Sequence, residues 1–505
     1  MANVVKKGFT RVFVIENRAG PANAPQYVAL GFAGAPSQGL GDVEKIEAPS
    51  QTKRGSYDTL DTFVTGKENA SLPLTIRYAH DVSTLMRIAR KECAIDVQVH
   101  AGQCTDPRDF AAGWHDGHIS VFEDARMTTY GLTDMGSYQT DDEGAVDQEV
   151  EVSAVDWYQI GPLDFAERAA SQVAQEIIAV VVCDSVSCGD CEDVSDGCQK
   201  VFAIAAPAGS SPGLLPEVIV TEDGFTTIAN ESPIDTLAAG EDPTGATCVG
   251  SNLVVVSNTD NALHYADKSE LILGTETWAR VDSGFVVTGE PNAIAGFGPF
   301  DTWIVGDGGY VYFSSDPTNG VTVKDAGVAT TEDLNDVDVL STEFIIAVGD
   351  NNAVIYSLNG GNTFSSVTGP AVGVNLLSVA VRSEREWWIG TADGKLYYTT
   401  NQGTTWTEKA FPSSGTGNVR DIVWASDTVG YMAHDLATPA GRILRTVSGG
   451  YQWTVLPDGT SSLPANDHIN SLAVCEREAN VLYAGGLGDD AADGIILKGT
   501  TTETL

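Results

Sequence analysis

Residues 387–406 read WWIGTADGKLYYTTNQGTTW, and the same plan recurs upstream in WIVGDGGYVYFSSD (303–316) and IIAVGDNNAVIYSLNGGNTF (345–364). Each copy has an apolar strand, a polar Gly/Asp/Asn turn, a second alternating strand, and a glycine-containing turn that leads to an aromatic residue. Gly306 and Gly349 are 43 residues apart. A period of about 40–50 residues with four short strands per unit predicts a β-propeller.

Counting such units predicts seven blades in the second part of the chain, with six and eight as alternatives. The predicted blades span 174–232, 234–283, 290–329, 334–368, 374–412, 417–457 and 467–505. The last one ends in GIILKGTTTETL (494–505) and is short of an outer strand. We therefore expect the ring to close with a strand taken from elsewhere in the chain.

A local turn pattern, Ser/Thr-x-Asp/Asn-x-Gly-x-Thr-Trp/Phe, appears at 357–364 and 399–406, with looser copies at 446–453, 221–228 and 274–278. It resembles the Asp-box, or BNR, repeat of propellers of the photosystem-assembly-factor and sialidase type. In those families the box is structural and lies away from the binding face, which implies the same here. The residues assigned to these structural turns are Asp223, Asn359, Gly361, Phe364, Asn401, Gly403, Trp406, Gly450 and Trp453.

The first part of the chain, residues 1–165, lacks this repeat. Alternating strands are predicted at 70–81, 93–102, 117–131 and 148–160. Residues 81–92 have an apolar helical face behind Asp81 as N-cap, so they predict one helix. We therefore expect a mainly β protein: a β-sandwich with one helix, a linker at 166–173, and a seven-bladed propeller at 174–505.

The order of these elements resembles the tail tube, or major tail, proteins of long-tailed bacteriophages. The resemblance rests on a long polar stretch within 33–68 and a closing VEVSAVDWYQIG (150–161). It implies homo-oligomeric, hexameric rings stacked into a tube through the loop at about 38–65. It also implies neighbouring tail proteins as partners, viral DNA passing through the lumen without specific binding, and a virion location after synthesis in the host cytoplasm.

The chain is strongly acidic, with a net charge of −41. Residues 1–172 hold 15 Lys+Arg and 25 Asp+Glu, whereas residues 173–505 hold 13 and 44. Such a surface repels nucleic acid phosphates and anionic membranes. The sequence has no run of eighteen apolar residues, and its start, MANVVKKGFTRVFV, lacks the apolar region of a signal peptide. We expect no membrane partner.

Four of the eight cysteines lie within 183–198, among five carboxylates. They are Cys183, Cys188, Cys191 and Cys198. Two local disulfides are favoured, while a zinc site and free thiols remain alternatives. This stretch falls between two apolar strands and is predicted to be a surface-loop insertion. Cys248 and Cys475 are predicted to be small buried apolar residues.

Several enzyme motifs are missing from the sequence: it has no Arg-Ile-Pro of sialidases, no P-loop and no HExxH. We expect no catalytic residues and no cofactor, zinc being the alternative. The function predicted is a structural virion protein whose propeller decorates the tail tube or binds a host-surface glycan or protein weakly. The alternatives are a non-viral soluble or cell-surface propeller binding module and, third, a propeller glycosidase.

Overall fold

The computed structural model divides the chain into two compact units, Met1–Pro162 and Leu163–Leu505. It describes the strands of the first unit, given below, and residues 163–167 and 175–501 of the second. The second range has gaps at 184–199, 207–214, 238–240, 259–260, 298–299, 413, 427–428, 437–440, 448, 451, 457–467, 476–477 and 488–493. Within the described residues, no helix has the length and apolarity needed to span a membrane.

The first unit is built of antiparallel strands. In chain order they are β1 (Thr10–Glu16), β2 (Gln26–Leu30), β3 (Val43–Gln51), β4 (Tyr57–Lys67), β5 (Ala70–Arg77), β6 (Ile95–Ala101), β7 (His118–Tyr130), β8 (Asp147–Ala154) and β9 (Asp156–Ile160). Seven of them form one sheet in the order β2-β1-β6-β7-β8-β5, with β9 also paired to β7. Val97 and Phe122 are register partners on β6 and β7, and both are fully buried.

The stretch predicted as a long stacking loop, about 38–65, differs from the prediction because it contains a β-hairpin. Strands β3 and β4 pair from Val43↔Lys67 to Gln51↔Tyr57, and this pair joins no other strand among the described residues. Strand β4 is rich in Tyr, Thr, Phe and Val, which favour strands more than the polar composition of the whole stretch suggested. The predicted helix at 81–92 lies outside the described residues, and the tail-tube-like sandwich stays a prediction.

The second unit is a seven-bladed β-propeller, as predicted, and each blade is an antiparallel four-stranded sheet. Blade 7 includes the strand that begins the unit, β10 (Leu163–Glu167). Blades 1 to 3 are β11 (Glu176–Val182), β12 (Val201–Ala206), β13 (Glu217–Thr221), β14 (Asn230–Pro233); β15 (Pro243–Val249), β16 (Asn252–Ser257), β17 (Ala262–Asp267), β18 (Ala279–Val281); and β19 (Pro291–Gly296), β20 (Thr302–Gly306), β21 (Tyr310–Ser314), β22 (Thr322–Ala326).

The remaining blades follow the same order. Blades 4 to 7 are β23 (Leu334–Val339), β24 (Ile345–Gly349), β25 (Ala353–Ser357), β26 (Ser365–Thr368); β27 (Leu376–Ser383), β28 (Glu386–Thr391), β29 (Leu396–Thr399), β30 (Thr407–Lys409); β31 (Val419–Trp424), β32 (Gly430–Asp435), β33 (Gly441–Thr446), β34 (Thr454–Val455); and β35 (His468–Cys475), β36 (Glu478–Leu487), β37 (Gly494–Thr501) with β10. One short helix, α1 (Lys268–Leu273), and 3-10 turns at Asp307–Gly309, Pro317–Asn319 and Asp350–Asn352 complete the described elements.

Burial explains the strand sequences. The second strand of a blade lies inside its sheet and between two other blades, so every residue of β12, β20, β24 and β32 is buried. The fourth strand is at the rim, and three of the four residues of β26 are exposed. Apolar runs such as VFAIAA therefore mark second strands, and polar segments such as SSVT mark outer strands.

The ring is closed by β10, which pairs with β37 from Leu163↔Thr501 to Glu167↔Leu497 and is the outer strand missing from blade 7. The predicted boundary at 165 and the linker at 166–173 therefore differ from the structure. Residues 166 and 167 belong to β10, and only Gly161 and Pro162 separate β9 from β10.

The first strands of the blades contact one another in a closed ring around the propeller axis. Each of them has a bulge near its start, where one residue is skipped in the pairing with the second strand. The skipped residues are Ile178, Thr244, Asn292, Asn335, Leu377, Arg420 and Asn470. A bulge turns a side chain out of the regular alternation, and these residues matter for the site described next.

Candidate functional site: the junction face of the propeller

The strand order gives the propeller two distinct faces. One face, here called the junction face, carries the connections between blades and the turns between second and third strands. The opposite face, here called the Asp-box face, carries the turns between first and second strands and between third and fourth strands. The predicted site residues lie on the Asp-box face, whereas the surface that we identify as a candidate binding site is on the junction face.

The predicted Asp-box residues form hydrogen-bonded turns. In blade 4, the Gly361 N–H donates to Ser357 Oγ (2.9 Å), and Asn359 Oδ1 accepts from the Ser357 hydroxyl (2.9 Å) and the Thr363 N–H (3.0 Å). Blade 5 repeats this arrangement around Asn401 with the same spacing. In blade 1, Asp223 holds the turn in the same way, although Phe225 takes the glycine position with φ 63°.

In blades 4 to 6, the glycine and the aromatic residue of the box pack against tryptophans of second strands. A Cβ on Gly361 would lie 2.3 Å from Trp303 of blade 3, and one on Gly450 would lie 2.2 Å from Trp388 of blade 5. Phe364 lies edge-on to Trp303, with ring centroids 6.2 Å apart. The ring centroids of Trp453 and Trp388 are 6.1 Å apart, and those of Trp406 and Trp387 are 6.2 Å apart. A Cβ on Gly403 would lie 3.1 Å from Trp387. These side chains fill the joints between blades.

Two blades depart from the pattern. The looser copy at 274–278 in blade 2 is preceded by helix α1, capped by Asp267, and Trp278 is buried behind it. Blade 3 has a related turn that the sequence search missed, in which Asp316 Oδ1 accepts from the Thr318 N–H (3.0 Å).

The cysteine prediction needs a correction at one position. Cys183 forms a disulfide with Cys248, with Cα atoms 5.7 Å apart, so it joins the first strands of blades 1 and 2. Cys248 is therefore not an unpaired small apolar residue, and Cys183 does not belong to a four-cysteine set. The pairing was missed because the two cysteines, 65 residues apart in sequence, become neighbours only when blades 1 and 2 pack against each other. Cys188, Cys191 and Cys198 lie outside the described residues.

On the junction face, the bulge residues clamp neighbouring blades. The Asn292 amide donates to Asp307 Oδ1 (2.8 Å) and to the Leu334 carbonyl of the next blade (3.1 Å). Asn335 does the same one blade further on, donating to Asp350 Oδ1 (2.8 Å). In blade 7, Asn470 donates to Glu176 of blade 1 (2.7 Å).

Three valines stand out of this face at successive blade junctions. Val287, Val328 and Val372 are 82%, 87% and 90% exposed, and they lie in the connections between blades 2 and 3, 3 and 4, and 4 and 5. The other large exposed apolar residues of the described chain, Leu273, Phe297, Phe300 and Leu358, are all in connections on the Asp-box face. Among the described residues, the three valines are therefore the large exposed apolar side chains of the junction face.

The turn that carries Val287 is held from below. The Gly289 N–H donates to the Val286 carbonyl (2.9 Å), and the buried Tyr312 hydroxyl donates to the Gly289 carbonyl (2.8 Å). Burial raises the pKa of Tyr312 to about 12, so its hydroxyl stays protonated and able to donate.

The other two valine turns are held by acceptor side chains. Asp325 accepts from the N–H of Val328 (2.6 Å), and Asn352 Oδ1 accepts from the N–H of Ala371 (2.7 Å), next to Val372. Side-chain acceptors that bind turn N–H groups fix the turn, so these valines are exposed on ordered backbone.

Hydrogen bonds between turns make these segments one continuous surface. The Gly308 N–H donates to Asp333 (2.8 Å), the Asn351 amide donates to Glu332 (2.6 Å), and the Asn351 N–H donates to Asn375 (3.2 Å). We call this surface the valine strip. It comprises residues 286–290, 307–309, 325–333, 350–352 and 369–375.

Carboxylates lie on the first strands that surround the axis. Asp336 Oδ2 accepts from the Val379 N–H of the next blade, and Asp421 Oδ2 accepts from the Leu472 N–H, both at 2.7 Å. Burial raises the pKa of Asp421 to about 6, and burial followed by the charge of Asp421 raises the pKa of Asp336 well above its ordinary value. Burial also raises the pKa of Asp338. These carboxylates accept backbone hydrogen bonds that tie the inner strands together.

The blades that carry the strip have an extreme charge balance. Residues 281–380 contain twelve Asp+Glu and one lysine, with no arginine or histidine. The lysine, Lys324, has its ammonium 5.0 Å from the Phe313 ring centroid. Within the described residues, no group of three His, Cys, Asp or Glu is arranged to hold a metal ion.

Comparisons with solved structures match the propeller fold. Ycf48 from Cyanidioschyzon merolae is 13% identical with a TM-score of 0.50 over 68% of this chain and 100% of its own. Ycf48 bound to D1 peptide is 12% identical with a TM-score of 0.50 over 68% and 96%. A catalytically inactive virginiamycin B lyase from Staphylococcus aureus, with quinupristin, is 12% identical with a TM-score of 0.50 over 67% and 99%.

These shares of the chain are about the size of the propeller unit, and identities this low establish the fold alone. No protein-family model matches the sequence. No curated protein matches it either. The comparisons give the predicted tail tube region no support.

The valine strip was not predicted from the sequence. It is built from turns, whereas the sequence prediction rested on strands and Asp boxes. A signal was present. Asn292 and Asn335 are 43 residues apart, as are Asp307 and Asp350, which is the blade period already seen for Gly306 and Gly349. Polar residues that repeat with the blade period outside the boxes indicate a second set of joints on the other face.

Proposed function

We propose that the chain is a non-enzymatic binding protein whose propeller recognises a macromolecular partner through the valine strip. The observation that carries this proposal is the set of three valines, 82% to 90% exposed, on hydrogen-bonded turns of one face. Several exposed apolar side chains on one face favour an interaction site there, and ordered turns lose little conformational entropy on binding. In this proposal the chain acts by binding its partner, without a chemical reaction and without a cofactor.

The fold supports a binding role without specifying one. A propeller of the same fold, Ycf48, has been solved with a bound D1 peptide, while another is a lyase, so the fold hosts both binding and catalysis. The carboxylates near the axis favour binding over hydrolysis here, because Asp336 and Asp421 each accept backbone N–H bonds with both oxygens. Because both oxygens already accept backbone hydrogen bonds, these carboxylates are better placed to stabilise the ring than to act on a substrate.

The test compares the full-length chain with a variant in which Val287, Val328 and Val372 are all serine. Both are immobilised and exposed to a displayed library of random twelve-residue peptides. If the proposal holds, selected peptides bind the unchanged chain and lose affinity for the variant. Selected peptides that bind both proteins equally would place binding elsewhere and contradict the use of this face. Matched thermal unfolding curves establish that the variant is folded.

A structural role in a phage tail tube is the second candidate, and one observation favours it. The hairpin of β3 and β4 spans Val43–Lys67, where the stacking loop was predicted, and its strands pair with no other described strand. Strand edges left in this way can pair with another copy of the chain. In this role, hexameric rings, neighbouring tail proteins, passage of viral DNA and a virion location would follow.

Electron microscopy of the negatively stained full-length protein separates the two roles. Rings or tubes with projecting knobs would favour the tail tube. Single monomeric particles that persist at high protein and salt concentration would favour the binding module. Deleting 43–67 provides the control, because it should abolish rings but leave peptide binding by the propeller unchanged.

A further inference from the structure

We infer that the partner of the valine strip is a cationic polypeptide segment that carries small apolar side chains beside its lysines or arginines. This inference rests on the proposed function and adds the chemistry of the partner. Two properties of the same surface lead to it, namely its exposed valines and its negative charge.

The apolar property sets the length of the partner. The three valines stand at three successive blade junctions, so a partner that covers all of them has to follow the junction face across two blades. Each valine side chain offers a contact for one short apolar group, because its backbone is fixed and its side chain is almost fully exposed. An extended segment of a polypeptide chain meets this requirement better than a compact small molecule does.

The charge property sets the sign of the partner. Glu290 is exposed at the Val287 turn, and four half-buried acids lie along the rest of the strip. These four are Asp307, Glu332, Asp333 and Asp350. With one lysine among residues 281–380, the strip contains no comparable positive charge to balance them. Complementary charge steers association and selects partners, so lysines or arginines are expected between the apolar contacts.

The same charge argues against the other occupants. A second copy of this chain would place one acidic strip against another, which like-charge repulsion disfavours. Anionic lipid surfaces and nucleic acids are repelled for the same reason. A cation alone would satisfy the acids but would leave the three valines in water.

Two pairs of matched variants test the inference in the peptide selection described above. Glu290→Lys reverses a charge on the strip, and its control, Glu343→Lys, reverses an equally exposed acid in the first turn of blade 4 on the Asp-box face. The triple valine-to-serine variant has Leu358→Ser as its control, since Leu358 is 45% exposed on the Asp-box face. None of these side chains is buried, so all four variants are expected to fold.

The expected result is enrichment of peptides with several Lys or Arg next to Val, Ile or Leu. Their affinity should fall about tenfold with Glu290→Lys and at least about tenfold with the triple variant, while both controls leave it unchanged. Raising the salt from low to molar concentration should also weaken the binding of these peptides to the unchanged chain.

The outcomes separate the inference from the proposed function. Neutral or acidic peptides that lose affinity in the triple valine variant would overturn the cationic partner and keep the binding face. Peptides that are unaffected by either strip variant would overturn both. A library that yields no peptide above background would also overturn the cationic polypeptide as the partner.

Discussion

Replacement of Gly361 by alanine tests how the Asp boxes hold the blades together. Gly361 has φ +69°, and a Cβ on it would lie 2.3 Å from Trp303 Cη2, a buried atom of the neighbouring blade. The backbone conformation costs an L-residue about 1–2 kcal/mol, and forcing an extra carbon into a packed joint costs about 1–3 kcal/mol more. We therefore expect Gly361→Ala to lower the free energy of unfolding by roughly 2–5 kcal/mol.

The chain offers a matched control in Gly373, which has φ +73° with no atom within 4 Å of the added Cβ. Gly373→Ala has the same backbone cost without the clash, so it should lose only about 1–2 kcal/mol. Urea unfolding followed by tryptophan fluorescence measures the difference, because seven of the nine tryptophans belong to the propeller unit. Equal losses for the two variants would refute the idea that the box glycine packs against Trp303.

Three further predictions concern the ring. A chain that starts after Leu163–Glu167 should have a clearly lower thermal unfolding temperature than one that starts just before this strand, since blade 7 loses its outer strand; equal temperatures would contradict closure by β10. Burial raises the pKa of Asp421 to about 6. Between about pH 4 and 6, the folded state therefore keeps a proton on this carboxyl that the unfolded state has already released. The stability contributed by this group is present below that window and decreases by at most about 3 kcal/mol as the pH rises through it, and Asp421→Asn should flatten this part of a urea-midpoint profile. Cys183→Ser and Cys248→Ser should each lower stability by up to about 4 kcal/mol under oxidising conditions, and the double variant should lose no more than either single one; additive losses would contradict the pairing.

The propeller could be predicted from the sequence because its information is local and repeated. Each blade has the same order of an apolar second strand, a polar turn and an Asp box, and a period near 43 residues repeats the signal. The missing outer strand of blade 7 could also be anticipated, since the last repeat was one strand short. Its source, Leu163–Glu167, could not, because the partner strand β37 lies more than 300 residues away in sequence.

The disulfide and the valine strip were harder to predict for a related reason. Cys183 and Cys248 are brought together by blade packing, and four cysteines in sixteen residues suggested a local arrangement instead. Val287, Val328 and Val372 are 41 and 44 residues apart, close to the blade period, but an exposed valine is indistinguishable from a buried one by residue type. The β-hairpin at 43–67 was hidden by its polar composition, although its Thr, Val and aromatic content favours strands.

Hydrogen–deuterium exchange of the full-length chain, with and without a selected cationic peptide, tests whether the junction face of blades 2 to 5 is the binding surface. If it is, we expect slower exchange on peptide binding in the turns at 286–290, 325–333 and 369–375, with the Asp-box turns unchanged. Protection confined to the Asp-box turns, for example at 357–364, or to strands of the first unit would contradict it.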